Sequence, residues 1–462
     1  MELDLLVIGS GPGGQRAAIQ AAKLGKHVAV AERRDRLGGV SIHTGTIPSK
    51  TLRQAVLEQL ATRPLDVLDP TRVEETERLA MGQLLDRAAA VVAAETAITR
   101  EQFRRNRVGL LAGDATFEND HTVRITGLAE HVHAERIVIA VGTRPARPPS
   151  VAFDDRTIID SDGLLKLESR VPRTMTVVGA GVIGVEYASM FGLLGTKVTV
   201  VDQRERVLPW LDGEIGEAFQ YLLRRNNVTF RLREKVDAVE ADGRLARLRL
   251  ASGKEIISET VLYATGRQGD TEHLGLDRAG LETDKRGRLK VDDKFRTSVP
   301  HIFAVGDCAG GAGLAATAME QGRIAALHAF EEPVTELPHL IPAGVYAIPE
   351  LAMVGRTEEE LTDEAVPYVA GIARWSELAR GVITRDRDGL LKLLVSLEDR
   401  RVLGVHVLGT GATDLVHIGQ AVMANGGGGL DFLVTAVFNY PTFAESYKVA
   451  ALDAANRIKA LS

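Results

Sequence analysis

The chain contains the same glycine-rich pattern twice, and this repetition restricts its fold more than any other feature. In each copy an apolar run leads into G-x-G-x-x-G, and a second apolar run ends in an acidic residue. The first glycine and the acid are separated by the same number of residues in both copies, from 9 to 32 and from 179 to 202. The pattern residues are Gly9, Gly11, Gly14 and Glu32 in the first copy, and Gly179, Gly181, Gly184 and Asp202 in the second. Each copy therefore predicts a strand, a tight turn, a helix and a second strand.

This pattern is suited to binding a dinucleotide. The first glycine permits the tight turn, the second lets the backbone approach a pyrophosphate, and the third lets the helix pack closely on the strand. The N-terminus of the helix offers unpaired N–H groups to the phosphates, and the acid accepts a hydrogen bond from a ribose hydroxyl. One copy alone is a weak signal. Two copies with the same spacing predict that two dinucleotides meet in one chain, which implies redox chemistry between them.

Composition limits the location and the partners that we expect. A chain of 462 residues is too long for one hydrophobic core and should form roughly two to four domains. Its 56 basic and 62 acidic residues give a net charge of −6, which indicates neither nucleic-acid binding nor attraction to an anionic membrane. The single cysteine, Cys308, excludes an internal disulfide framework and fits a reducing compartment. Because the sequence shows neither a signal-peptide pattern nor an apolar run of membrane-spanning length, we expect a cytoplasmic protein.

The order of the predicted elements indicates an α/β protein. After the first β-α-β unit, residues 52–107 predict two amphipathic helices around a loop that contains two prolines, at 63–70. Short strands are predicted over 108–140, and a second β-α-β unit begins near Met175. A later apolar strand ends at Asp307 and is followed by a helix over 315–330.

The same order predicts three domains, two of them interleaved. The first domain comprises residues 1–150 and 268–338 and is interrupted by the second, residues 151–267. Residues 339–462 form a separate α+β domain, with strands at 390–395 and 402–408 and two helices.

The segment 38–50 resembles the flavoprotein disulfide reductase superfamily, which includes lipoamide dehydrogenase and glutathione reductase. Those enzymes carry G-G-x-C-x-x-x-x-C-x-P-S-K, whose two cysteines form a redox disulfide beside the flavin. Here Ser41 and Thr46 occupy the cysteine positions, while Lys50 ends the pattern. The resemblance continues through 179–187, 264–267 and 297–307 and covers essentially the whole chain.

The C-terminal region indicates which group of the superfamily the chain resembles. Disulfide reductases of this type carry H-P-T-x-x-E, in which the histidine serves the dithiol, but this chain has Tyr440 at that position, before Pro441-Thr442. The chain thus lacks both the redox cysteines and the histidine that serves them. With the segments 45–50 and 409–420, this region is similar to the soluble pyridine nucleotide transhydrogenases of the same superfamily. In that group the first cysteine can persist, so Ser41 is a departure even there.

The resemblance implies two interleaved Rossmann-like domains, one binding FAD non-covalently and one binding NAD(P), followed by an α+β C-terminal dimerisation domain. Lys50 and Glu186 match the ion pair that lies beside the flavin N5 in the superfamily, and we take them as the catalytic residues. The residues implied for FAD are Gly9, Gly11, Gly14, Glu32, Gly39, Thr46, Lys50, Gly142, Asp307 and Ala315. Those implied for NAD(P) are Gly179, Gly181, Gly184, Asp202, Arg204 and Gly266.

Two neighbouring residues give opposite signals about the coenzyme. Asp202 can accept from a 2′-hydroxyl, which favours NAD, whereas Arg204 can face a 2′-phosphate, which favours NADP. Either both coenzymes are used, or one residue selects and its neighbour is only solvated. Cys308 and His43 are expected to fill space rather than to react, and the histidine spacing predicts no metal site.

The resemblance implies an FAD-dependent NAD(P) transhydrogenase of the Si-specific type. Hydride would pass reversibly from NADPH to NAD through the flavin in a ping-pong cycle, in a homodimer, without a redox disulfide. One alternative is an NAD(P)H oxidase or diaphorase that uses oxygen or a quinone, and another is a non-catalytic FAD-binding assembly subunit. A lipoamide dehydrogenase is disfavoured by the single cysteine. The physiological direction depends on nucleotide pools, and the space near Ser41, Thr46 and Tyr440 is either filled or binds a further acceptor.

Overall fold

The structure is a computed structural model that describes residues 1–33, 37–61, 81–167, 170–311, 313–334, 337–425 and 429–461. The predicted proline-bearing loop at 63–70 lies outside these residues. The described helices are α1 (Pro12–Lys23), α2 (Gly39–His43), α3 (Thr46–Ala61), α4 (Met81–Arg105), α5 (Ser161–Leu164), α6 (Val182–Leu193), α7 (Gly213–Arg225), α8 (Ala315–Ala329), α9 (Glu358–Asp363), α10 (Ala379–Thr384), α11 (Ala412–Ala424), α12 (Gly429–Thr435) and α13 (Glu445–Leu461). None of them is long and apolar enough to cross a membrane.

The described strands form a separate sheet in each of three units, with two smaller sheets beside them. They are β1 (Glu2–Ile8), β2 (Val28–Glu32), β3 (Gly109–Ala112), β4 (Ala115–Phe117), β5 (Thr122–Ile125), β6 (Val132–Ile139), β7 (Thr143–Pro145), β8 (Ile158–Asp160), β9 (Thr174–Val178), β10 (Lys197–Asp202), β11 (Val228–Leu232), β12 (Val236–Ala241), β13 (Ala246–Leu250), β14 (Glu255–Ser258), β15 (Thr260–Tyr263), β16 (Arg267–Gly269), β17 (Ile302–Ala304), β18 (Ala343–Val345), β19 (Leu351–Gly355), β20 (Tyr368–Arg374), β21 (Leu390–Ser396) and β22 (Val402–Leu408).

The first unit is built on a sheet in the order β3-β2-β1-β6-β5-β4, with β17 also paired to β6. β1 runs parallel to β2 and to β6, and its last four residues are all buried, as expected for a central strand covered on both faces. β17 is parallel to β6, with Ile302 opposite Ile137. The chain therefore returns to the first sheet after forming the second unit.

The second unit repeats this plan on a parallel sheet in the order β11-β10-β9-β15-β8, with β12, β13 and β14 as an antiparallel sheet beside it. The two chain segments that leave and re-enter the first unit pair with each other, since β7 is antiparallel to β16 with Arg267 opposite Pro145. The α/β class with interleaved units is therefore confirmed, while the boundaries at 150, 268 and 338 stay predictions.

The third unit is an antiparallel sheet in the order β18-β19-β22-β21-β20, with α11 and α13 packed on it. The predicted strands at 390–395 and 402–408 are confirmed as β21 and β22. The prediction of two helices was wrong, because α9, α10 and α12 are also present. Helices of six or seven residues complete fewer than about two turns, so their periodicity is not readable from sequence.

Candidate functional site

Both glycine-rich turns need glycine at their first position for the same reason. Gly9 has φ +102° and Gly179 has φ +111°, a region that other residues rarely adopt. A Cβ atom on Gly9 would lie 2.5 Å from the carbonyl oxygen of Ala140, and one on Gly179 would lie 2.4 Å from that of Ala264. Each turn therefore crosses the end of the neighbouring strand at a distance that excludes a side chain.

The third glycine of each pattern sets how closely the helix approaches its strand. A Cβ atom on Gly14 would lie 2.0 Å from the carbonyl oxygen of Gly9, and one on Gly184 would lie 2.0 Å from that of Gly179. No real atom pair tolerates this distance, so α1 and α6 keep their positions only with glycine there. Gly11 and Gly181 are the N-cap residues of these helices, whose first N–H groups face outward without a side-chain cap.

The acid of each pattern holds its own turn. The N–H of Ser10 donates to Oε2 of Glu32 at 3.0 Å, and the N–H of Ala180 donates to Oδ2 of Asp202 at 2.6 Å. Ser10 adds a hydroxyl hydrogen bond to Glu32 at 2.6 Å. The acids thus lie directly beside the glycine turns.

One cleft collects most of the residues that the sequence assigned to FAD. It runs along the first turn, the start of α2 and α3, the ends of β2 and β6, and the start of α8. Gly14 lies behind the first turn. The assigned residues that line the cleft are Gly9, Gly11, Glu32, Gly39, Thr46, Gly142, Asp307 and Ala315.

The walls of this cleft come from distant parts of the chain. A Cβ atom on Gly39 would lie 3.0 Å from Cα of Gly11, so the segment that resembles the disulfide loop closes directly over the first turn. Asp307 accepts a hydrogen bond from Oγ1 of Thr143 at 3.1 Å. Ala315 is the first residue of α8, whose positive end faces the cleft.

Lys50 and Glu186 connect the two turns. Lys50 lies on α3, about one helical turn after Thr46, which lines the cleft. Its Nζ lies 2.7 Å from Oε2 and 2.9 Å from Oε1 of Glu186 on α6, the helix that begins at the second turn. The Glu186 side chain is 4% exposed and the Lys50 side chain is 26% exposed. A buried carboxylate needs this partner, since an unpaired charge at such a position is costly.

Asp202 and Arg204 also contact each other. Oδ1 of Asp202 accepts from the backbone N–H of Arg204 at 2.8 Å and from its Nε at 2.9 Å, and Oδ2 accepts from Nη2 at 2.6 Å. Burial alone would raise the pKa of Asp202, but the hydrogen bonds from Arg204 and Ala180 outweigh it and lower the pKa. Gly266, the remaining residue assigned to NAD(P), follows β15 with φ +134°.

Two residues near the site carried no sequence signal. Asp162, on α5, lines the cleft, and burial raises its pKa, an effect that Arg267 at 3.9 Å opposes only in part. Tyr346, between β18 and β19, donates its N–H to Oε1 of Glu186 at 2.8 Å, and its ring lies under Nζ of Lys50. Neither residue belongs to a recognisable sequence motif, so only the tertiary structure reveals them.

The remaining sequence candidates fall into separate places. Ser41 and His43 line the cleft, and Nε2 of His43 lies 2.8 Å from the carbonyl oxygen of Leu37. Cys308 is fully buried, and burial raises its pKa to about 11, as expected for a packed and unreactive thiol. Tyr440 is 67% exposed on the third unit.

Within the described ranges, two groups have the composition of metal ligands. Asp120, His121 and His301 come together, but the two imidazoles stack 3.8 Å apart with planes 3° from parallel, so no ion can lie in both ring planes. The second group is Asp212, Glu214 and Glu358, and the ammonium of Lys392 lies among them.

Two family models match the chain along most of its length. The model of a family described as pyridine nucleotide-disulphide oxidoreductase matches residues 3–322. The model of the dimerisation domain of the same family matches residues 341–451. Together they span the three units.

Individual relatives cover the whole length. The chain is 53% identical to the soluble pyridine nucleotide transhydrogenase of Mycobacterium tuberculosis (strain ATCC 25177 / H37Ra), over 100% of this chain and 99% of that protein. It is 43% identical to the protein of the same name from Hahella chejuensis, over 98% of each chain. Among solved structures, the HOCl-induced flavoprotein disulfide reductase RclA from Escherichia coli matches with a TM-score of 0.87 and 26% identity, over 97% of this chain and 99% of that one. LpdA from M. tuberculosis matches with the same TM-score, identity and coverage.

Proposed function

The chain belongs to the pyridine nucleotide-disulphide oxidoreductase family, and we propose that it is an FAD-dependent NAD(P) transhydrogenase. The observation that carries this proposal is the Lys50–Glu186 pair, which joins the wall of the first cleft to the helix of the second glycine turn. Two dinucleotides bound on these turns would meet at this pair. The relatives that share 53% and 43% identity along the chain bear the name of this activity.

The residues of the first cleft fit FAD. Gly9 permits the tight turn and Gly14 lets α1 pack closely on β1, while Gly11, at the N-cap of α1, has no side chain to keep the backbone from a pyrophosphate. We infer that the N-cap of α1 would offer its unpaired N–H groups to the phosphates, and that Glu32 and Asp307, which line the cleft, would accept hydrogen bonds from the ribose and the ribityl chain. Bound FAD would supply the hydride acceptor and donor, chemistry that no side chain of the protein provides.

The chain's own groups then act by position and charge. Lys50 places a cation beside the cleft, and Glu186 fixes the direction of its ammonium. The positive end of α8, at Ala315, adds a second source of positive potential. Both favour negative charge in the cleft, so they would stabilise a reduced cofactor there.

The second turn is proposed to bind NAD(H) and NADP(H) in alternation. Asp202 offers an acceptor to a 2′-hydroxyl, and Arg204 offers a cation to a 2′-phosphate. Because the single cysteine is buried and Ser41 and Thr46 stand in the cleft, no thiol route leads electrons away from it. The second turn would then serve as both entrance and exit for hydride.

The finer parts of the proposal follow from the family. We infer a homodimer formed through the third unit, which matches the dimerisation-domain model. We also infer a cytoplasmic location, a reversible ping-pong cycle and Si-face specificity. Tyr440 is then proposed to face the site of the partner subunit.

Anaerobic stopped-flow measurements test the function. NADPH should bleach the bound flavin, and NAD or thio-NAD added afterwards should restore it, with the reverse sequence also working. Failure of NADPH to bleach the flavin would contradict every enzymatic function and leave the assembly subunit. Bleaching that oxygen or a quinone reverses, but NAD does not, would leave the oxidase or diaphorase. NADPH deuterated on one face at C4 tests the stereochemistry, since the label is either retained or transferred.

A further inference from the structure

Tyr346 contacts both members of the Lys50–Glu186 pair. Its backbone N–H donates to Oε1 of Glu186 at 2.8 Å, and Nζ of Lys50 lies 4.9 Å from the centre of its ring. An ammonium at this distance from an aromatic face is attracted by the negative potential of the ring. We propose that Tyr346 is a positioning residue, through which the third unit holds the Lys50 ammonium in the orientation that hydride transfer requires.

The segment that carries Tyr346 is anchored independently of its ring. The N–H of Ile348 donates to Oγ of Ser189 at 3.0 Å, and Nε of Arg53 donates to the carbonyl oxygen of Ala347 at 3.0 Å. Nη2 of Arg53 also lies 2.9 Å from a carboxylate oxygen of Glu350. The backbone of residues 346–350 is therefore bound to α3 and α6 whatever side chain position 346 bears.

The ring of Tyr346 contacts the ammonium of Lys50, whereas the backbone N–H of Tyr346 contacts the carboxylate of Glu186. Glu186 is 4% exposed and is held by both Lys50 and the Tyr346 N–H, so its place is fixed from two sides. Lys50 has a flexible stem and is 26% exposed, and besides Glu186 its ammonium donates only a 3.3 Å hydrogen bond to Oγ of Ser49 among the contacts described. Without the ring, the ammonium gains room to turn toward solvent. The side chain at 346 should thus affect Lys50 without removing the Glu186 contact.

The inference rests on the proposed function, because the orientation of Lys50 matters for hydride transfer only when a flavin lies beside it. The informative pair of variants is Tyr346→Phe, which keeps the aromatic face, and Tyr346→Leu, which removes it. Tyr221→Leu is the matched control, since Tyr221 is 61% exposed on α7.

The first readout needs no nucleotide. Competitive acylation of lysines, followed by mass spectrometry and normalised to the exposed Lys197, should label Lys50 about fivefold faster in Tyr346→Leu than in the wild type. Tyr346→Phe and Tyr221→Leu should label at the wild-type rate. Equal labelling of Lys50 in the Leu and Phe variants would overturn the inference.

The second readout separates positioning from binding. In anaerobic stopped flow, Tyr346→Leu should reduce the limiting rate of flavin reduction by NADPH about tenfold while leaving the Kd for NADPH unchanged, and Tyr346→Phe should restore the rate. A rise in Kd with an unchanged limiting rate would show that Tyr346 serves nucleotide binding and would overturn its assigned role. If wild-type flavin is not reduced at all, the proposed function fails, while the labelling experiment still decides whether Tyr346 holds Lys50.

Discussion

Arg204 donates three hydrogen bonds to the carboxylate of Asp202, the group that we propose accepts from the coenzyme ribose. With the N–H of Ala180, the backbone N–H, Nε and Nη2 of Arg204 make two donors to each carboxylate oxygen. A carboxylate offers only about four lone-pair positions, so a ribose hydroxyl must displace one of these donors. The two selectivity signals of the sequence are therefore coupled through one ion pair.

Because of this ion pair, Arg204→Ala should change the use of NADPH and of NADH differently. The variant should lower kcat/KM for NADPH by about 10- to 100-fold, the range expected for losing a hydrogen-bonded charge contact. NADH should be used at least as well as before, because Asp202 is released. Steady-state rates with each coenzyme check this, with Arg249→Ala, on the remote strand β13, as the control. Equal losses for NADPH and NADH would show that Arg204 does not bind the 2′-phosphate.

The assignment of one cofactor to each turn is tested by two matched variants. In Gly14→Ala and Gly184→Ala the new methyl group would lie 2.0 Å from a carbonyl oxygen of the same turn, which forces helix and strand apart. Gly14→Ala should purify without flavin, whereas Gly184→Ala should keep the flavin absorbance but no longer respond to NADPH. Gly216→Ala on α7, where a Cβ atom meets nothing within 4 Å, is the control. A Gly184→Ala protein that lacks flavin but matches the wild type in circular dichroism would contradict the assignment.

Lys392 forms a buried ion pair between the third unit and Asp212 of the second unit. Its fully buried ammonium lies 2.8 Å from Asp212, which is also fully buried, and 2.6 Å from Glu358. Burial would lower the pKa of Lys392, but the hydrogen bonds to these carboxylates outweigh it and raise the pKa. Lys392→Met should cost about 3–5 kcal/mol of unfolding free energy, because it leaves the buried Asp212 carboxylate without its cation, with the N–H of Glu358 at 3.3 Å still donating to it.

Urea denaturation measures this loss. Lys254→Met is the control, since Lys254 is 62% exposed and its pair with Glu234 should contribute less than about 1 kcal/mol. Similar midpoints for the two variants would mean that the buried pair contributes no more than a surface pair.

Buried His406 should make the protein less stable in mild acid. Burial lowers its pKa below the ordinary value, and its Nε2 lies 2.9 Å from the carbonyl oxygen of Arg356. As the pH falls below about 6.5, the unfolded chain binds the proton before the folded chain does, so stability is lost from there toward the lower folded pKa. Urea midpoints between about pH 7.5 and 5.5 should therefore fall less steeply in His406→Gln than in the wild type. His27→Gln, at an exposed histidine, is the control, and an unchanged slope in His406→Gln would contradict the expectation.

Cys308 should be chemically silent in the folded protein. It is fully buried, its Sγ lies 3.3 Å from the carbonyl oxygen of Val305, and burial raises its pKa to about 11. A disulfide reagent such as DTNB should modify it only after denaturation, and Cys308→Ala should keep the flavin reduction by NADPH. Rapid modification of the native protein with loss of that reduction would reinstate a thiol in the reaction.

The long and strongly patterned segments were predictable from sequence. The runs that became β9, most of β1 and the end of β6 are apolar because parallel central strands are buried on both faces, so the sequence pattern itself indicates them. The glycine positions were predictable for a similar reason, since the turn itself requires a positive φ at Gly9 and Gly179 and close packing of helix on turn at Gly14 and Gly184. The short helices α9, α10 and α12 have no readable sequence pattern, so the sequence did not predict them.

The sequence by itself determined that two dinucleotide-type turns exist, that Ser41, Thr46 and Tyr440 stand where thiol chemistry would need cysteines and a histidine, and that the chain belongs with this family. Only the tertiary structure showed that Tyr346 contacts Lys50 and Glu186. It also showed that Arg204 donates hydrogen bonds to Asp202 and that Lys392 lies buried among carboxylates. The physical reason is how far apart in the chain the residues that specify each feature lie. A turn or a strand is specified by neighbouring residues, whereas the charge balance of a buried group depends on side chains that the fold brings together from distant parts of the chain.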